Sequence, residues 1–380
     1  MRPKQTARGK SMADWDDGYV TDVIYTRHAH REMTPAWLAI TSLLLGHRPP
    51  DLSQPFRYAD LGCGHGLTAT IVAATCPHAE VWAFDFNPAH VESGRRLASS
   101  AGLTNLHFQE ASFADLAALP PAGLPEFDFI ACHGVVSWIS AENRSNLMAI
   151  IGRRLRPGGL AYLSYNVATG WASLVPMRTL MRSLMLSSQG RSDQVAAGVL
   201  DYLDILKKSG ARFFGANPTV EPRLAEIRKQ DPRYIAHEFL NADWQPLMFA
   251  EMAAAMEGAK CTYIGSATLT DNIDPVSVPQ TMMSLVAEAS NLVLRETLRD
   301  FGLAQTFRRD VYRRGVLPMA APEQGRLLDA VELVWTGRQV DDPIALATPV
   351  GQVNGLPEIY GPLMEMLIAG NHTIGAIRQA

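Results

Sequence analysis

Residues 56–166 alternate between two periods of hydrophobic and polar positions. "FRYADLG", "EVWAFDF", "NLHFQEA", "EFDFIACHG" and "LAYLSYN" are short runs with apolar residues on both parities. That is the pattern of strands buried on both faces. Between them, "LTATIVAATC", "PAHVESGRRLASSAG" and "ENRSNLMAIIGRRLRPGG" read as helices, the first ended by Pro77 and the last by a glycine stop. Such alternation predicts a parallel sheet covered by helices on both faces.

The pattern differs on either side of this block. Upstream, Thr34-Pro35 combines a capping hydroxyl with proline at the first helical position and predicts a helix over "PAWLAITSLLLG" that stops at Gly46. Downstream, residues 171–255 read as almost wholly helical. Strand character returns in "KCTYIGSATL", followed by one helical stretch, "VPQTMMSLVAEASNLVLRETLRDFG", and a further strand in "TFRRDVYRRGVL". The tail adds a helix, short strands in "VELVWTG" and "PIALATP", and the helix "LPEIYGPLMEMLIAG". The expected organisation is therefore an N-terminal helical segment over the site (1–50), an α/β domain in two pieces (51–190 and 256–318), a helical cap inserted between them (191–255), and a small C-terminal α+β unit of winged-helix-like order (319–380).

Composition narrows the class. The 380 residues are 47% hydrophobic and 19% charged, enough to bury a large core, and a formal net charge of −4 lacks the electrostatic footprint of a nucleic-acid binder. The early apolar run "AWLAITSLLLG" falls short of the ~20 residues of a bilayer span. The basic N-terminus lacks the apolar stretch of a signal peptide. The four cysteines form no CxxC pair, so neither a metal knuckle nor a disulfide framework is expected. A reduced, cytoplasmic protein without membrane or nucleic-acid partners is the expectation.

The chemistry concentrates in "ADLGCGHG" and "AFDFN". A parallel sheet binds ligands at the carboxyl ends of its strands. Gly62, Gly64 and Gly66 follow the first strand at such an end, and a helix starts immediately after them, its free N–H groups directed at the same ligand. A dinucleotide fingerprint of G-x-G-x-x-G needs glycine where this chain has Leu67. The observed D-x-G-x-G-x-G begins with Asp60, and an acid there suits an ammonium rather than a pyrophosphate. Asp85, ending the second strand, suits both hydroxyls of a ribose. Ammonium, carboxylate and ribose together describe S-adenosylmethionine.

On these residues the chain resembles the class I S-adenosylmethionine-dependent methyltransferases. "CHGVVSWIS", "LSYNVATGW", "YIAHEFLN" and "TFRRDVYRRG" further resemble the members that carry a methyltransferase regulatory domain, whose better-known relatives methylate lysines of rickettsial outer-membrane proteins. The resemblance implies a Rossmann-like sheet with a helical cap inserted after the fifth strand. It implies that Asp60, Gly62, Cys63, Gly64 and Gly66 hold the methionine part, that Asp85 holds the ribose, and that Phe86 packs on the adenine. Ser112 and Phe113 stand where the family often has an aspartate reading the adenine amino group; the serine is a departure that leaves that reading to backbone groups.

Candidates for the acceptor end are weighed against plainer roles. His133, ending the fourth strand, is a candidate base or ligand contact, or else a histidine bonded to backbone. "CHGVVSW" is unlike the Asn-Pro-Pro-Tyr motif of amide-type amino methyltransferases. Tyr165 and Asn166 end the fifth strand as acceptor-site or turn residues. Trp138 is a pocket wall or a core aromatic, and Trp171 a packing residue. Tyr19 or Tyr25 can reach the cofactor from the N-terminal segment. His237, with Glu238 and Trp244, faces the acceptor if the cap is a lid, or packs within a dimerising cap if it is not. His28 and His30 diverge by ~200° on a helix and read as surface residues rather than a metal pair. "FRRDVYRR" reads as a solvated or ion-paired face.

The expected activity is in-line methyl transfer to a nucleophilic N or O atom of a protein lysine or, alternatively, of a small molecule. In that chemistry the protein's work is alignment and exclusion of water. A cofactor-binding regulatory module without turnover is the rival reading.

Overall fold

The computed structural model describes residues 18–23, 28–120, 123–315, 318–337 and 344–380. They fall into two compact units. The larger holds His28–Ser137, Ala141–Trp171 and Pro246–Ala380; the smaller holds Trp138–Ser140, Ala172–Gln245 and the described part of the first 27 residues.

The larger unit is built on a seven-stranded sheet of order β3-β2-β1-β4-β5-β7-β6. Its strands are β1 (Arg57–Leu61), β2 (Glu80–Asp85), β3 (Leu106–Glu110), β4 (Phe127–Cys132), β5 (Leu155–Asn166), β6 (Cys261–Ser266) and β7 (Phe307–Arg314). The first five pair in parallel, while β7 is antiparallel to both β5 and β6. Strand order reverses between β1 and β4, the crevice where open α/β sheets bind ligands.

Local chemistry sets the flanking helices. Thr34 caps α1 (Pro35–Leu44) by accepting from Trp37 N–H. Helix α2 (Leu67–Thr75) starts from Gly66 in the left-handed conformation. Asn87 caps α3 (Pro88–Ser100) by accepting from Ala89 N–H, with proline at the first helical position. Ser112 caps α4 (Phe113–Ala118), and α5 is Ala141–Arg154. Tyr58, Phe129, Tyr162 and Val311 belong to the core cluster these elements enclose, and all four are inaccessible to solvent. Burying a side chain of this size contributes about 1.5–3 kcal/mol.

Two boundaries differ from the sequence expectation. Helix α5 stops at Arg154 and the chain enters β5 at Leu155, rather than continuing helical to Gly159. Pro157 disfavours helix at the residue before it, and Leu155 pairs with Phe127. The helical stretch expected over 278–302 breaks, because Asn291 caps a new helix, Leu292–Leu303, by accepting from Leu294 N–H.

The insertion leaves and rejoins the sheet side by side. Leu247 N–H donates to Asn166 O at 2.9 Å and Ala168 N–H donates to Leu247 O at 3.0 Å. Ala168 and Leu247 therefore both lie at the carboxyl edge of β5.

Within the smaller unit, helix Ser192–Lys208 buries Val195, Ala196, Val199, Leu200 and Leu203, a stripe at helical spacing. Residues 18–23 are laced to this unit: Val20 N–H donates to Asn241 Oδ1, Ser192 N–H to Asp22 Oδ2 and Ala242 N–H to Gly18 O. The C-terminal region of the larger unit is a small α+β arrangement with two two-stranded sheets. No described helix is long and apolar enough to cross a membrane.

Candidate active site

The glycine loop is tied to β2: Gly62 and Cys63 N–H both donate to Phe84 O, at 2.8 and 2.9 Å. Gly62, Gly64 and Gly66 have φ of 78°, 54° and 68°, which L side chains rarely adopt. Two of them differ in what a side chain would meet. At Gly66 a Cβ would lie 2.3 Å from the Phe108 ring, so this glycine serves packing; at Gly64 it would meet nothing within 4 Å. The backbone at Gly64 is thus open to close approach by a ligand. The Cys63 thiol donates weakly to Gly64 O at 3.5 Å, and burial pushes its pKa well up, so it stays neutral.

Asp60 is 2% exposed and its Oδ1 has no hydrogen-bond partner. Burial, and then the neighbouring Asp85, push its carboxyl up to about 7. An orphaned buried carboxylate oxygen two residues before an open glycine loop calls for a cationic donor. An α-ammonium is such a donor, so these residues fit S-adenosylmethionine.

Asp85 is more engaged than the sequence suggests. Its Oδ2 accepts from Gly64 N–H at 2.8 Å and its Oδ1 from Asn87 N–H at 2.9 Å, with His90 Nδ1 at 3.1 Å. A carboxylate offers about four acceptor positions, so Asp85 has room for one ribose hydroxyl rather than the expected two. The serine at 112 also has a local explanation. Ser112 Oγ accepts from Asp115 N–H, and Asp115 Oδ2 accepts from Ser112 N–H, both at 3.1 Å, closing a capping box. Phe86 and Phe113 are half-buried.

At the other end of the crevice, strand register sorts the candidates. Tyr162, Ser164 and Asn166 face the same side as their β7 partners Val311, Arg309 and Phe307, while Leu163 and Tyr165 face the other side with Asp310 and Arg308. His133 belongs to the first face. Its Nδ1 lies 2.7 Å from Tyr162 Oη, and its ring is 5.8 Å from Phe307 and stacks on His30 at 3.7 Å. His30 is positioned by its own N–H, which donates to Thr68 Oγ1 in the first turn of α2. Burial, followed by His30 and Arg309, holds His133 well below the ordinary histidine range. Burial lowers His30 as well, with Glu32 opposing it. Both rings are neutral at physiological pH. The Arg309 guanidinium lies over the Phe307 ring at 5.1 Å, and among the described residues it forms no ion pair. Asn166 is 3% exposed and its Nδ2 has no partner.

Several expectations are corrected by this geometry. Tyr165 is not at the acceptor end: it is fully buried on the opposite face and its hydroxyl donates to Asp310 Oδ2 at 2.6 Å. Residues 28–30 are not helical, and His30 is half-buried against His133 rather than a surface residue. His237 is a structural tie, its Nε2 bonded to Val23 O at 2.9 Å and its ring 5.4 Å from Tyr19. Next to it burial raises the Glu238 carboxyl to about 8, and the Trp244 ring packs under Arg178 at 5.5 Å. Trp138 is buried in the short turn Val136–Trp138. Tyr25 lies outside the described residues. No cluster of three or more metal-type ligands occurs among the described residues.

Sequence reasoning missed His30, Tyr162, Phe307 and Arg309. For Tyr162 a signal existed. In "LAYLSYN" it shares parity with Ser164 and Asn166, whereas Tyr165 does not. The same parity separates Arg308 from Arg309 in "FRRDVYRR". For His30 no local signal exists, because its place depends on where the N-terminal segment docks.

Comparison with known proteins adds an independent line. Residues 59–159 match the family model of a methyltransferase domain, and residues 231–314 that of a predicted methyltransferase regulatory domain. The chain is 33% identical over 368 residues to an uncharacterized protein of Synechocystis sp., covering 96% of this chain and 72% of that one. It is 31% identical over 225 residues to the trans-aconitate 2-methyltransferase of Methylobacterium radiotolerans, covering 57% of this chain and 76% of that one. The solved structure of PKMT2 from Rickettsia typhi in complex with AdoHcy shares the fold, with a TM-score of 0.72 and 20% identity over 93% of this chain and 70% of that one.

Proposed function

The chain belongs to the class I S-adenosylmethionine-dependent methyltransferases that carry a methyltransferase regulatory domain, and on that premise we propose that it methylates the side-chain nitrogen of a protein lysine. The observation that carries this reading is the lining of the ligand edge. His30, His133 and Phe307 set uncharged rings beside the Arg309 guanidinium, with the buried Tyr162 stacked on His133. A lysine has a reference pKa of about 10.4 and arrives as an ammonium. Apolar surroundings and a neighbouring cation both disfavour that form, so the site selects the free, nucleophilic amine.

Bound S-adenosylmethionine supplies a methyl group on a sulfonium that is already a good leaving group. In the proposed arrangement the ionised Asp60 holds the α-ammonium, the loop from Gly62 to Gly66 with Cys63 cradles the methionine part, and Asp85 accepts from one ribose hydroxyl. Phe86 and Phe113 pack against the adenine, whose amino group is left to backbone groups near Ser112. The likeness to PKMT2 from Rickettsia typhi, and the resemblance to the lysine-modifying members of the family, support the lysine acceptor.

The test follows tritium-labelled methyl groups from the cofactor into fractionated lysate. Label is expected in protein lysine. Arg309→Met is expected to raise the acid limb of the pH–rate profile by about one unit, a roughly tenfold loss at neutral pH. A second reading, O-methylation of a carboxylate, is favoured by one observation: Arg309 has no ion-pair partner among the described residues. The trans-aconitate 2-methyltransferase relatives point the same way. In that case label enters small acids, and Arg309→Met removes acceptor binding instead of shifting the profile.

Asp60 makes the cofactor assignment testable by pH alone. Its carboxyl, raised to about 7 in the free protein, must ionise to take an ammonium. Affinity for S-adenosylhomocysteine should therefore fall as pH drops through about 7 and level off above it, with a proton released on binding near neutrality. Calorimetry in two buffers of different ionisation enthalpy reads that proton. An affinity constant from pH 6 to 8 would remove Asp60 from the site.

A further inference from the structure

We infer that His133 meets its ligand as a hydrogen-bond donor through Nε2–H, held in that tautomer by Tyr162, and that it does not act as the base for the acceptor. The inference rests on the reading above that the acceptor end lies at His133.

The tautomer is set by where the buried Tyr162 hydroxyl proton can go. Tyr162 is fully buried, and its Oη lies 2.7 Å from His133 Nδ1. Burial raises the Tyr162 phenol well above its ordinary range, so it keeps its proton. Among the described residues that hydroxyl has one hydrogen-bond partner, so Tyr162 O–H donates to His133 Nδ1. The reversed arrangement has Nδ1–H donating to Tyr162. It then leaves the Tyr162 hydroxyl proton with no acceptor among the described residues, a cost that buried polar groups rarely bear.

The consequence is chemical. A neutral imidazole that accepts at Nδ1 carries its proton on Nε2, so Nε2 has no lone pair with which to take a proton from an amine. It can donate to an oxygen of the ligand, carbonyl or carboxylate. His30, stacked on the ring at 3.7 Å and itself neutral, restrains the plane in which that donor lies. Tyr162 is the positioning residue in this scheme. A lysine acceptor then loses its proton to water before transfer.

The direct test is nitrogen-15 NMR on the full chain labelled at histidine, without ligand, using long-range proton correlations that distinguish the two tautomers. The His133 signals are assigned by their absence in His133→Gln. The expected result is the Nε2–H form from pH 6 to 8, with a mixture of tautomers in Tyr162→Phe. An Nδ1–H form in the unaltered protein overturns the inference, and an unchanged tautomer in Tyr162→Phe overturns the positioning role. A second readout is turnover. Glutamine retains an N–H donor, so His133→Gln should exceed His133→Ala by at least about tenfold, whereas equal loss in both marks a base. Label appearing in small acids instead of lysine would end the lysine reading and leave the NMR result standing.

Discussion

Replacing Arg308 by methionine is expected to destabilise the larger unit by about 3–5 kcal/mol, the usual cost of removing one partner from a buried ion pair. Arg308 is 6% exposed and central to the sheet face opposite His133. Its Nε donates to Asp310 Oδ1 at 2.8 Å, its Nη1 to Asp300 Oδ1 at 2.7 Å, and its Nη2 to Glu296 Oε2 at 2.8 Å and Tyr263 Oη at 3.0 Å. Asp310 also accepts from Tyr165 and Tyr312 at 2.6 and 3.1 Å. Methionine preserves much of the apolar stem, so the loss isolates the charge. Three buried carboxylates would remain, with Arg299 at 3.7 Å from Glu296 as the nearest remaining cation.

The pH dependence has a definite sign. Burial already raises Asp300 to about 6 and raises Asp310, with Arg308 opposing both shifts. Without Arg308 both rise further. A carboxyl raised in the folded state is stable while protonated and loses stability as pH rises through its folded value. The deficit should therefore grow between pH 5 and pH 8. Denaturant unfolding of the full chain, followed by tryptophan fluorescence, measures it; a loss below about 1 kcal/mol at pH 8 would mean that the network is loosely solvated.

Asp85→Ala is the change expected to affect ligand binding most. It removes the acceptor proposed for the ribose, and it also frees Gly64 N–H and Asn87 N–H from the carboxylate that anchors them. Hydrogen bonds to charged groups are worth about 1.5–3 kcal/mol each. Losing the ribose bond and the preorganised loop together should weaken S-adenosylhomocysteine binding about 100-fold, measured by calorimetric titration. Asp85→Asn keeps one carbonyl acceptor and should lose less. A change under about threefold on Asp85→Ala would show that the loop is held by its other bonds and that the ribose lies elsewhere.

The five parallel strands, the loop with its acids and the Thr34 cap were legible in the chain because each is a local matter. Glycines at positive φ, Thr34, Asn87 and Ser112 act on backbone groups within a few residues. Strand burial on both faces appears directly as runs such as "LAYLSYN". The helical character of the inserted segment is equally local: Val195, Val199 and Leu203 repeat at the spacing of one helix face.

The acceptor end was legible only in part, because its residues meet through register and docking. Tyr162 and Tyr165 stand three positions apart in one strand, and period two sends one toward His133 and the other into the Arg308 network. Which face receives the ligand depends on what β7 and the N-terminal segment bring to each. His30 lies 103 residues before His133 (133 − 30). Their 3.7 Å stack exists because a backbone N–H outside any helix found Thr68. Residue types and short spacings therefore determined the frame, the glycine loop and the ligand class. Tertiary structure decided which histidine, tyrosine and arginine share a face, since long-range pairing and the burial that neutralises those groups have no counterpart in local sequence.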